Sequence, residues 1–155
     1  MTITFAAPEV LLCDTSYLGT VRKARLGHEY LTAGWDTRLV ERIAAAALAI
    51  SIVTVAEELS GEISSRWGER ARADADAKRR AYVWIPLDLQ TLERWAILDA
   101  ECRRTGHTGC DDNDLWIAAT AIERVLPLVT CDKRQSELPG LPEVIFLPAG
   151  TRHSK

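Results

Sequence analysis

Asp112-Asn113-Asp114-Leu115-Trp116-Ile117-Ala118-Ala119-Thr120-Ala121 joins an acidic head to an almost wholly apolar, alanine-rich body. Such a body predicts a buried helix. An aspartate beside a helix entry is ordinarily a cap, because its carboxylate accepts free backbone N–H groups and suits the helix dipole. One carboxylate suffices for that, and with Asp111 just before it this helix entry carries three, at 111, 112 and 114. Carboxylates packed against an apolar element are costly through desolvation and mutual repulsion unless a cation neutralises them. The surplus points to a metal site.

Working outward, Leu126-Pro127-Leu128-Val129-Thr130 predicts a strand ending at Cys131-Asp132-Lys133-Arg134, and Val144-Ile145-Phe146-Leu147 a last strand. On the other side, Val10-Leu11-Leu12-Cys13 is a strand-type run that ends on Asp14-Thr15-Ser16, with Thr15 or Ser16 as the cap of a following helix. Apolar positions 39, 40, 43 and 47 after Asp36 have helical spacing. Ala49-Ile50-Ser51-Ile52-Val53 is rich in β-branched residues and predicts a second strand. Thr54 would cap the helix that follows, leaving Glu57 and Glu58 in its first turn, where capping and the dipole explain them without chemistry. From Ile63 to Tyr82 the chain is charged and helix-favouring, which suits a solvated face with part in reach of phosphates. Trp67 and Trp84 are expected as partial core or partner contacts, not as base-stacking platforms. Val83-Trp84-Ile85 is a short extended segment ended by Pro86, and residues 88 to 104 form an amphipathic helix closed by Gly106.

This succession of short strands and helices favours a parallel sheet between helical layers. GxGxxG, GxxxxGK[ST] and GxSxG motifs are absent, which removes the best support for dinucleotide, P-loop and hydrolase readings. At 155 residues, with 47% hydrophobic and 26% charged content, a single globular domain spanning 1–155 with its core at about 10–147 is expected. The net charge of −3 supplies no global field for nucleic acid, so such binding needs local basic patches or bound cations. Cys13, Cys102, Cys110 and Cys131 form neither a CxxC pair nor a zinc ladder, and reduced thiols in a cytoplasmic protein are expected. The first five residues lack a signal-type core, and no run reaches the roughly 20 apolar residues a membrane span needs.

Asp14 and Asp132 follow strands, Asp114 opens a helix and Glu57 lies near the start of another. A parallel sheet gathers such positions along one edge. Four convergent carboxylates with no strong basic partner make an all-oxygen site, suited to Mg²⁺ or Mn²⁺ and not to zinc. A cation held there can orient a water, lower its pKa and stabilise charge on phosphorus during in-line hydrolysis, while reversing the local negative field.

At these residues the chain resembles the PIN-domain nucleases, in particular the VapC-type toxins of bacterial toxin–antitoxin pairs. The matching motifs are residues 11–16 (LLCDTS), 51–57 (SIVTVAE), 112–121 (DNDLWIAATA) and 128–132 (LVTCD), in the family's order. The resemblance implies a PIN-like α/β/α fold and a metal-dependent ribonuclease, with Asp14, Glu57, Asp114 and Asp132 holding the cation or its waters. Asp112 matches a position that supplies a ligand or a supporting group. Thr15, Ser16 and Thr130 match positions that hydrogen-bond around the acids. The chain departs from the pattern after Asp132, where Gln135 and Ser136 replace a further acid and a phenylalanine. The resemblance also implies an RNA substrate, a homodimer, and a small antitoxin docked in a groove placed among the helices of residues 36 to 80.

Two other classes compete. A catalytically idle PIN-like module that binds RNA or protein would have little reason to keep repelling carboxylates. A receiver-type phosphoacceptor requires paired acids after its first strand, where Asp14 stands alone. His28, His107 and His153 fall in loops or the tail and are expected at the surface. Lys133-Arg134 adjoins Asp132 and is the basic pair placed to meet a phosphate.

Overall fold

Val10-Leu11-Leu12-Cys13 offers no polar residue to solvent on either side, so a strand of this composition belongs in a sheet covered on both faces. In the computed structural model, which describes residues 7–107 and 109–151, it forms β1 (Val10–Cys13), and its last three residues are fully buried. The first five residues and His153, considered above, lie outside the described residues. With β2 (Ala47–Ser51), β3 (Val83–Ile85), β4 (Leu128–Thr130) and β5 (Val144–Phe146), β1 makes a five-stranded sheet in the order β3-β2-β1-β4-β5. Every pairing is parallel, with Leu11 opposite Leu48 and Leu12 opposite Leu128. The chain thus winds outward from β1 to β3 and returns to lay β4 on the other side of β1. That reversal opens a crevice beyond the carboxyl ends of β1 and β4, where α/β sheets bind ligands.

Helices α1 (Thr15–Arg25), α2 (Thr37–Ala45), α3 (Ile52–Ser64), α4 (Glu69–Arg79), α5 (Leu89–Thr105), α6 (Asp112–Arg124) and the short α7 (Lys133–Ser136) complete the α/β/α arrangement. Strand alternation sends Leu11, Cys13, Ile50 and Val129 to one face, against Tyr17 and Leu18 of α1 and Ile43 of α2. Leu12, Ala49 and Leu128 go to the other face and meet Ile117 and Ala121 of α6. Leu115 and Ala118 turn instead toward Leu98 and Cys102 of α5. The alanines of α6 therefore let one helix pack closely on both the sheet and a second helix. The PIN-like three-layer fold expected from the sequence is the fold observed, with a wholly parallel sheet. Among the described residues no helix is long and apolar enough to cross a membrane.

Four local expectations need correction. Asp14 itself, not Thr15 or Ser16, caps α1 by accepting from the Tyr17 N–H. Ser51 ends β2 and caps α3 by accepting from the Val53 N–H, so Ile52 and Val53 are helical despite their β-branching, and Thr54 is a buried helical residue. A well-placed cap here outweighs propensity. Glu57 and Glu58 consequently lie in the second turn of α3, beyond the reach of N-terminal capping. The charged stretch 63–82 is two helices: α3 ends at Ser64, Arg66 takes a left-handed φ of 53°, and Gly68 caps α4. All four cysteines are free thiols, as expected, and Cys131 lies just past β4.

α4 is anchored to α3 by a buried ion pair. Arg79 donates to Glu62, both nearly free of solvent, with the half-buried Glu58 carboxylate 3.9 Å from the same guanidinium. Removing one partner of such a pair leaves an uncompensated buried charge. Chemical denaturation of Arg79→Met should accordingly give a loss of about 3–5 kcal/mol, and the Glu62→Leu/Arg79→Met double variant should recover most of it.

Candidate active site at the seam between β1 and β4

The crevice at the switch point is built around Asp14, which has 1% of its surface exposed. Its carboxylate accepts from the Tyr17 N–H at 2.7 Å, from Ser16 Oγ at 2.8 Å and from Thr130 Oγ1 at 2.5 Å. The two hydroxyls are oriented from behind: Ser16 Oγ accepts the Cys131 N–H and Thr130 Oγ1 the Asp132 N–H, each at 2.9 Å. With acceptor sites taken by backbone N–H groups, the hydroxyl protons are free to point at Asp14. Burial pushes the Asp14 carboxyl up to about 6, against the pull of Thr130, Tyr17 and Ser16, and the charge of Asp132 adds to the rise.

Asp114 stands in the first turn of α6. It shares a reciprocal cap with Asp111: the Asp114 N–H donates to Asp111 Oδ1 at 2.9 Å and the Asp111 N–H to Asp114 Oδ2 at 3.2 Å. Part of the acidic surplus in this stretch is therefore capping. Asp114 nonetheless carries a carboxyl raised to about 6, chiefly by burial, then by the charge of Asp111, with Asp132 and Asp14 also contributing. Asp14, Asp114 and Asp132 thus feel one another across the crevice. Asp132 caps α7 through the Arg134 N–H and lies 3.4 Å from the Arg134 guanidinium. Lys133 reaches instead toward Glu137, at 3.8 Å.

Glu57 closes the group from α3. It accepts from Thr15 Oγ1 on α1 and, at 3.1 Å, from the Asn113 side-chain amide on α6. Glu58 points elsewhere, to Arg22 at 3.2 Å. Asp112 is exposed and lines a separate recess with Cys102, His107 and Cys110 at the end of α5. Asn113 escaped the sequence reasoning, and Gln135 was marked there only as a departure from the family pattern. Buried Gln135 lies where an acid was expected, and its amide donates to the Asp114 carbonyl at 3.4 Å, tying α7 to α6. The usable signal for Asn113 was its place between two acids at a helix entry. His28 and His107 are half-buried, each with one ring nitrogen buried and unpartnered, so neither is the surface histidine expected. Burial pushes the Cys131 thiol up to about 11 and raises Cys13 as well, which disfavours the thiolate form beside Asp14.

The donor set fits a hard divalent cation: oxygen ligands, neutral hydrogen-bond donors behind them, and mutual repulsion in want of a counter-charge. Among the described residues, however, no three His, Cys, Asp or Glu side chains are gathered closely enough to form a ready-made cage. The carboxylates are held by caps and hydroxyls at the rim of the crevice.

Residues 12–141 match the PIN domain family model, and the chain belongs to this family. Within it the chain belongs to the VapC branch. It is 33% identical over 104 residues to Ribonuclease VapC5 of Mycobacterium tuberculosis, an alignment covering 63% of this chain and 73% of that protein. Its fold is similar to that of VapBC-5 of the VapBC toxin–antitoxin family from the same organism, with a TM-score of 0.59, 26% identity, and coverage of 91% of this chain and 99% of that one. DNA-bound VapBC from Salmonella typhimurium superposes with a TM-score of 0.73 at 22% identity, over 90% of this chain and 98% of that chain.

The raised carboxyls set a pH dependence. Asp14 and Asp114 bind protons more tightly folded than unfolded, so they oppose folding increasingly as pH rises from about 4 to 6, and fully above that. In EDTA, thermal melts of Asp14→Asn should exceed wild type by roughly 5 °C at pH 7 and by nothing below about pH 4. Mg²⁺ should raise the melting temperature of wild type at pH 7 and leave Asp14→Asn unchanged.

Proposed function

We propose that the chain is a divalent-metal-dependent endoribonuclease, a toxin restrained by a small antitoxin protein. Asp14 carries this conclusion: a nearly inaccessible carboxylate at the strand-end crevice, served only by neutral donors. The named activity of its relative, Ribonuclease VapC5, and the toxin–antitoxin assemblies with similar folds support it.

Asp14, Glu57 and Asp114 would hold Mg²⁺ or Mn²⁺, directly or through its waters, with Asp132 on the far side of the crevice. When bound, a divalent cation supplies positive charge for the scissile phosphate and an acidified water. Ser16 and Thr130 fix the Asp14 oxygens, and Thr15 with Asn113 fixes Glu57. Arg134, beside Asp132, is the cation placed to meet an RNA phosphate, whereas Lys133 is turned to Glu137. Asp112, exposed and on another recess, is assigned no ligand role.

The antitoxin would dock in a groove of about 600 Å³ between α1 and α4, walled by Leu18, Val21, Trp67, Ala71, Ala75 and Tyr82. Only its α4 side, with Glu58 and Trp67, falls in the 36–80 region favoured by the sequence; α1 forms the other wall, and α2 takes no part in it. Arg22 stacks over Trp67 at 5.2 Å and pairs with Glu58, and Lys78 pairs with Asp74. With Arg25 and Arg79 also on the lining, its balance of charge is nonetheless positive and suits an acidic partner.

Purified, antitoxin-free protein is expected to cut total cellular RNA with Mg²⁺ or Mn²⁺ and not with EDTA. Asp14→Asn should abolish cleavage, and Thr130→Val should reduce kcat roughly 10–100-fold by loosening the Asp14 carboxylate. RNA left intact by a folded, metal-supplied wild type would favour an idle binding module instead.

A further inference from the structure

We infer that the recess beside Glu57 is a nucleobase subsite in which Trp116 stacks an unpaired base flanking the scissile phosphate, a role that presupposes the nuclease activity proposed above. Trp116 is half-buried, two residues after Asp114 on α6. One face of its indole is stacked on Trp95, with ring centroids 4.7 Å apart and planes inclined by 12°. Trp95 packs into the core between α5 and α6 with Leu98 and Cys102, and its own indole N–H is buried. The pair is therefore anchored from behind, and Trp116 is a fixed wall.

That wall bounds a recess of about 660 Å³ whose other sides include Val53, Ala56 and Leu87, with Glu57 and Asn113 at its polar margin. The same Glu57 and Asn113 are hydrogen-bonded to each other within the carboxylate site. The recess is thus continuous with the place where a phosphodiester would be cut. Its chemistry selects the occupant. The recess lining carries no basic side chain to hold a phosphate, whereas a base is neutral, planar and apolar on its faces. Stacking on an aromatic wall is tolerant of sequence and confined to unpaired strands. Asn113 spends one amide N–H on Glu57 and keeps a second N–H and a carbonyl oxygen for the edge of a base.

The test reads binding apart from cleavage, using Asp14→Asn and a fluorescent, short single-stranded RNA pool of random sequence, beside an abasic strand of the same length. Adding Trp116→Leu should weaken RNA binding about tenfold or more and leave abasic binding unchanged, while Trp116→Phe, which keeps a ring, should stay within a few fold. In the otherwise wild-type enzyme, Trp116→Leu should raise KM for RNA with kcat within a few fold. Equal RNA affinity with and without the indole, equal losses on both strands, or no RNA binding would overturn the subsite, even where the wild type cuts RNA. A folded wild type that never cuts RNA, yet binds it through Trp116, would overturn the nuclease and leave the stacking subsite standing. A dimer that Trp116→Leu dissociates in light scattering, with RNA affinity unaltered, would make the recess an interface between copies and overturn the proposal.

Discussion

The structure depends on one buried carboxylate being tolerated at the junction of β1 and β4. Asp14 follows a strand whose last three residues are fully buried, caps α1, and takes hydrogen bonds from hydroxyls that are themselves pinned by the backbone after β4. The bonds from Thr130 to Asp14 and from the Cys131 N–H to Ser16 require β4 to lie beside β1, so the return of the chain past β1 and the shape of the crevice are tied to the same group. Replacing the hydroxyls with apolar groups would strand the charge in a low-dielectric site. The raised proton affinity of Asp14 is the residue of that cost which hydrogen bonding fails to offset.

Around this point the helices are arranged by the same economy of polar groups. Asp36, Ser51, Asp88, Asp111 and Asp132 each cap a helix entry. Two of these caps, Asp111 and Asp132, also add negative charge beside Asp114. Capping and cation affinity are thus compatible uses of one residue type, and the first does not argue against the second. On the opposite flank, α1 carries Asp14 at its start and Arg22 in the wall of the long groove, so the groove and the carboxylate site share a helix.

Much of this was legible from residue types alone. Apolar runs at 10–13, 128–130 and 144–146 read as strands, and Asp88 with Gly106 bracketed α5. Asp14 and Asp132 stood out at strand ends and Asp114 in an acidic surplus, whereas Glu57, which capping could explain, stood out only through its motif. What escaped prediction depends on contacts remote in sequence or on backbone detail. Ile52 and Val53 read as strand because the competing cap, Ser51, is also at home in a strand. The break between α3 and α4 falls on an arginine with positive φ, which carries no compositional mark. Asn113 finds Glu57 across 56 positions of sequence, and Gln135 finds the Asp114 carbonyl across 21. The Trp95–Trp116 stack likewise exists only once α5 and α6 are packed.

Anomalous diffraction from crystals grown with Mn²⁺ at neutral pH tests the central claim most directly. One manganese peak in the crevice, with an Asp14 oxygen and an Asp114 or Glu57 oxygen within about 2.0–2.3 Å of it or bridged to it by water, is the predicted result. Manganese bound at full occupancy elsewhere, with the Asp14 crevice empty and its hydroxyl bonds unchanged, would contradict it.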